Sequence, residues 1–76
     1  MKTIYIVPFC EDDLGEVEGV FDEKGTMLSC WCCNDANWRH EYMNGFMSQL
    51  GFNVESELPK KFRAKAIKQM KENFGL

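Results

Sequence analysis

Hydrophobic and polar residues alternate along the first third of the chain and switch to a helical spacing after it. In Thr3–Phe9, Ile4 and Ile6 alternate with Tyr5 and Val7, a β-branched and aromatic run that predicts a strand. Pro8 cannot donate a ladder hydrogen bond, which assigns it to the end of that strand or to an edge. From Glu16 to Asp22, Val17, Gly19 and Phe21 alternate with Glu16, Glu18, Val20 and Asp22, predicting a second strand with one polar face. Asp22-Glu23-Lys24-Gly25 has the composition of a hairpin turn, so Thr26 to Cys32 or Cys33 reads as the returning strand. Regular alternation there groups Met27, Ser29, Trp31 and Cys33 on one face, and Leu28, Cys30 and Cys32 on the other.

The period then changes. Trp38, Tyr42, Phe46 and Leu50 recur every four residues, with Met43 and Met47 widening the row, so 36–50 reads as an amphipathic helix whose aromatic row faces the core. Asn34 or Asp35 supplies its N-cap and Gly51 its left-handed C-terminal residue. Phe52-Asn53-Val54-Glu55 suits a short fourth strand, and Ser56-Glu57-Leu58-Pro59 opens a second helix with Phe62, Ala66, Met70 and Phe74 as its apolar row, ended by Gly75. The predicted fold class is α+β, in the order β-β-β-α-(β)-α: an antiparallel sheet of three strands against two helices, with 52–55 either a fourth strand or an ordered loop.

Length and composition fit that reading. The 76 residues suffice for one domain with one core, spanning 1–76, and a hydrophobic content of 45% with 13% aromatics argues against disorder. No stretch approaches the roughly 18 apolar residues of a membrane span, and the start lacks the apolar core of a secretory signal. The expectation is a soluble protein of the cytoplasm. A reducing compartment in turn argues against the four cysteines forming disulfides.

Charge is unevenly placed. Residues 1–38 hold eight acids and two lysines, and residues 39–76 hold seven bases and four acids, for a net charge of −3. Solvated faces account for most such asymmetry, but Glu11, Asp12, Asp13, Glu16, Glu18, Asp22 and Glu23 together form a candidate acidic binding face. On the first helix, Arg39, Met43 and Met47 sit where the apolar row meets the surface, a combination suited to partner contact. Arg39 and Arg63 each follow the first aromatic of a helix and are placed to lay their stems over the core edge toward an acidic strand residue.

Cys30-Trp31-Cys32-Cys33 opens three chemical readings. A zinc site would draw on Cys10, Cys30, Cys33 and His40, a Cys3His set with one knuckle-spaced pair. Thiol redox chemistry would use Cys30 with Cys33 or the adjacent Cys32 and Cys33, but the preceding strand belongs to a hairpin instead of the parallel sheet such sites occupy. A Cys33–His40 nucleophilic pair requires His40 to reach back over one to two helical turns. The remaining reading makes the thiols small apolar packing groups.

The function expected is therefore non-enzymatic protein binding without a cofactor, directed at a partner such as a nucleic-acid-handling complex and blocking it through the acidic face. In size and charge the chain resembles phage-type inhibitors of host machinery, anti-CRISPR proteins among them. That resemblance implies an infected bacterial cell as the setting. The alternatives are a zinc-stabilised domain touching nucleic acid through the lysines of its last helix, and a thiol redox protein. A homodimer is compatible with each.

Overall fold

The structure, a computed structural model, describes residues 2–11, 14–32 and 36–76, with the side chains of 36–39 outside the description. Four strands and two helices follow in order: β1 (Thr3–Glu11), β2 (Gly15–Phe21), β3 (Met27–Cys32), α1 (Ala36–Gln49), β4 (Asn53–Glu55), a 3-10 turn (Lys60–Phe62) and α2 (Arg63–Asn73). The fold class is the α+β arrangement expected from the sequence, with strand order β3-β2-β1-β4. The antiparallel pairing holds for β1–β2 and β2–β3, whereas β4 joins β1 in parallel, which makes the sheet mixed. α1 supplies the crossover that a parallel neighbour requires.

The sheet is covered on both faces, so the single core expected from the chain's length is divided in two. On one face, Val7, Phe9, Val17 and Phe21 are buried with Ala66 and Met70 of α2. On the other, Ile4, Ile6, Val20 and Trp31 are buried, with Met43 and Met47 of α1 packed against them. The alternation in β1 and β2 is as predicted, but the face of β2 carrying Glu18 and Val20 is not polar-out: Glu18 is 5% exposed and Val20 is fully buried.

The β2–β3 hairpin explains how this comes about. Asp22 Oδ1 accepts the backbone N–H groups of Lys24 and Thr26 at 2.8 and 2.9 Å, and Gly25 turns the chain at φ +79°. Phe21 pairs with Met27 next to this turn, yet Val20 pairs with Ser29, so Leu28 is one extra residue on β3. This bulge reverses the facing of everything beyond it. Ser29 and Trp31 follow Val20 and Glu18 onto the α1 face, and Met27, which sequence alternation grouped with them, packs with Cys30 toward α2.

β1 runs two residues beyond the predicted end at Phe9, straight through Pro8. The N–H of Asn53 donates to the carbonyl of Lys2, so the even-numbered residues of β1 turn their backbone groups toward β4. β4 accompanies β1 only from Thr3 to Tyr5, and Pro8 lies past it, its nitrogen directed away from β2. The second helix starts at Arg63 after a 3-10 turn, later than Ser56–Pro59 suggested. α1 ends as predicted: Gly51 is left-handed, and the N–H of Phe52 donates to the carbonyl of Met47 at 3.1 Å.

Candidate functional site

Glu18 is the one buried charged residue among those described. Its carboxylate lies under α1 and accepts two hydrogen bonds: Trp31 Nε1 donates to Oε1 at 3.1 Å, and His40 Nδ1 to Oε2 at 3.0 Å. Where the Glu18 carboxylate is ionised it can only accept, and His40 then donates from Nδ1. The arrangement joins β2, β3 and the first turns of α1. A strand glutamate in an acidic stretch reads as solvent-facing, and the bulge at Leu28 is what brings Trp31 beside it.

This link sets the rotation of α1. At about 100° per residue, His40, Met43 and Met47 fall within about 60° of one another, while Tyr42, Phe46 and Leu50 occupy an adjoining arc of about 80°. Bringing His40 to Glu18 turns Met43 and Met47 onto the sheet and swings the second arc outward. Tyr42, Phe46 and Leu50 are accordingly 62%, 45% and 59% exposed. The sequence reading is inverted here: the row expected in the core is outside, and Met43 and Met47, expected at the contact rim, are partly buried against the core. The side chains of Trp38 and Arg39 lie outside the described residues.

The outward row is a continuous apolar surface. The rings of Tyr42 and Phe46 are nearly parallel, 5° apart in plane with centroids separated by 6.1 Å. Leu50 follows one turn later, beside a shallow hollow of about 140 Å³ bounded by Lys2, Leu50, Gly51 and Phe52. Gly45 is exposed at mid-helix, and a Cβ built there would meet nothing within 4 Å.

The acidic face fares differently. Glu18 is buried and is no part of it. Glu11 pairs with Arg63 at 2.7 Å, Asp22 caps its own turn, and Glu23 accepts the N–H of Thr3 at 3.0 Å. Glu16 is exposed, and Asp12 and Asp13 lie outside the described residues. Arg63 does what its position in the sequence suggested, crossing the ring of Phe9 with its guanidinium 5.5 Å from the centroid to reach Glu11.

The cysteines diverge. Cys10 pairs with Glu16 and shares the sheet face of Ile4 and Ile6. Cys30 lies on the opposite face, where Asn73 Nδ2 donates to its sulfur at 3.1 Å. His40 is on the α1 side, so Cys10, Cys30 and His40 do not converge, because the sheet stands between Cys30 and the other two. Cys33 lies outside the described residues. Among those described, no group of three or more His, Cys, Asp or Glu side chains is placed to hold a metal ion. Burial, followed by the neighbouring charge of Cys32, pushes the Cys30 thiol above its ordinary range, which favours the inert protonated form.

Lys60 and Lys61 of the 3-10 turn and Lys65 and Lys68 of α2 are exposed, and Lys65 Nζ donates to the carbonyl of Lys24 at 3.2 Å. No helix of the described residues is long and apolar enough to cross a membrane. Comparison with protein-family models, curated proteins and solved structures gave no match, so the site rests on its own geometry.

Proposed function

We propose that the protein acts by binding another protein through the outer face of α1, without a reaction of its own. The observation that carries this reading is the row of Tyr42, Phe46 and Leu50, three large apolar side chains each at least 45% exposed at helical spacing. Large aromatic side chains of this kind supply most of the energy in binding hot spots, and anchors one turn apart are how a helix engages an apolar groove. The Glu18–His40 bond supports the same reading, since it holds the helix in the rotation that presents the row.

Blocking a nucleic-acid-handling partner through acidic charge draws less support. Four of the acids in question, Glu11, Glu18, Asp22 and Glu23, already accept hydrogen bonds within the chain. The test is affinity capture from an extract of the source cells with wild-type protein, F46E and L28E as baits, Leu28 being an exposed apolar residue of β3. A stoichiometric partner held by wild type and L28E but lost with F46E is the expected result. Equal capture by F46E would sink the proposal.

A further inference from the structure

We infer that Cys30 and Cys32, with the thioether of Met70, form a binding site for one monovalent copper ion on the α2 face of the sheet. The site lies on the opposite side from the α1 row and does not depend on the protein-binding reading.

The bulge at Leu28 turns both thiols to this face. Beyond it Cys30 stands opposite Gly19 and Cys32 opposite Val17, and Val17 and Cys30 belong to the core packed under α2. Partners across an antiparallel pair share a face, so Cys32 follows Val17 to the same side. Both thiols are free, Cys32 exposed and Cys30 half-buried, and β3 is the outermost strand. A solute reaches the pair from the sheet edge.

Spacing decides what the two can do together. Residues two apart on a strand are about 6.5 Å apart, and their side chains leave the sheet side by side at nearly that separation. A disulfide needs Cβ atoms about 3.8 Å apart, so these thiols cannot join while β3 keeps its pairing. An ion bonded to both sulfurs at about 2.3 Å spans up to about 4.6 Å between them, a gap the two side chains close by leaning together. The pair suits a bridging ion better than a covalent bond.

Met70 adds a third sulfur. Its terminal methyl fills the place where a Cβ on Gly19 would stand, and Gly19 is the cross-strand partner of Cys30. Opposed Cβ positions lie about 4.5–5.5 Å apart, so the end of the Met70 side chain is about that far from Cβ of Cys30, with its sulfur one bond behind the methyl. Asn73, further along α2, donates from Nδ2 to the Cys30 sulfur at 3.1 Å. Such a bond is stronger to a thiolate than to a thiol and orients a sulfur that holds a metal.

The donor set selects the ion. Zinc takes four ligands, and among the described residues no imidazole or carboxylate joins the two thiols. Thiolate and thioether sulfur are the soft donors that favour monovalent copper, which is content with two or three of them. Binding breaks two S–H bonds and forms two S–Cu bonds. Two protons leave to solvent, and the copper keeps its oxidation state.

Anaerobic titration of the fully reduced protein with monovalent copper, in competition with the chelator bicinchoninate, tests the inference on wild type, C30S, C32S, M70L, C10S and C33S. The urea midpoint of each variant confirms its fold. The expected result is one tightly held ion per chain, with C30S and C32S each weakening binding at least tenfold and M70L at least threefold. C10S and C33S leave the affinity unchanged, and excess zinc does not displace the copper. Because C32S alters an exposed residue, it decides the matter even if C30S fails to fold. Wild type binding no tighter than C32S overturns the inference. So does loss of binding with C10S or C33S, indifference to M70L, or displacement by zinc.

Discussion

The two helices cover opposite faces of one sheet and are held to it by different means. α2 is fitted by shape. Gly19 leaves a notch in β2 into which Met70 reaches so closely that a Cβ on Gly19 would overlap its Cε. Phe62 seals the turn at Gly25, and Gln69 ties the helix to the hairpin, accepting the N–H of Met27 and donating to the carbonyl of Gly25, both at 2.9 Å. Among the described residues, no side chain of α1 enters such a notch. Trp31 and Val20 fill the sheet surface beneath it, two methionines rest on them, and one carboxylate–imidazole bond fixes the rotation. A helix seated by packing has its apolar row consumed by the fold, whereas one seated by a polar link keeps its row available to something else.

Four experiments probe that contrast. W31A removes the indole from beneath α1 together with one of the two donors to Glu18, and should cost about 3–5 kcal/mol in urea unfolding. M70A empties the notch on the packed side and should cost about 2–5 kcal/mol in urea unfolding, with the exposed row of α1 unaffected. E18L leaves Trp31 Nε1 and His40 Nδ1 without their acceptor, and a loss of about 1–3 kcal/mol is expected, accompanied by a change in tryptophan emission. If E18L proves neutral, α1 is held by packing after all and the contrast fails. The smallest effect concerns rate alone. Because the pKa of Cys30 is raised, its thiolate forms only at higher pH than that of an unperturbed thiol. Alkylation followed by mass spectrometry near pH 8 should therefore modify the exposed Cys32 well before Cys30, the gap narrowing as pH rises.

Much of the fold was legible because alternation and turn chemistry are local. Ile4 against Tyr5, Val17 against Glu18, the Asp22–Gly25 turn and the Gly51 helix end each depend on a few neighbouring residues, and each stands as read. The orientation of α1 was not legible, because it depends on a register set elsewhere. Counting back from the turn without a bulge places Glu18 opposite Cys30 and sends Trp31 to the other face. One inserted residue places Glu18 opposite Trp31, buries the carboxylate and creates the seat for His40. The lone histidine, which the sequence offers as a zinc ligand or a partner for Cys33, instead orients a helix. A tryptophan and a glutamate on neighbouring strands were the available signal, since a buried indole N–H needs an acceptor.

Pro8 has a consequence for how this protein behaves in a crowd. β1 is the longest strand of the sheet, and beyond Tyr5 its outer side has no strand beside it among the described residues. A strand edge without a partner is ordinarily an invitation to intermolecular sheet growth. The imide nitrogen at its centre has no hydrogen to give, so an incoming strand meets a gap in the ladder at the point where it would have to take hold. The strand keeps its length for the core while remaining a poor template for aggregation.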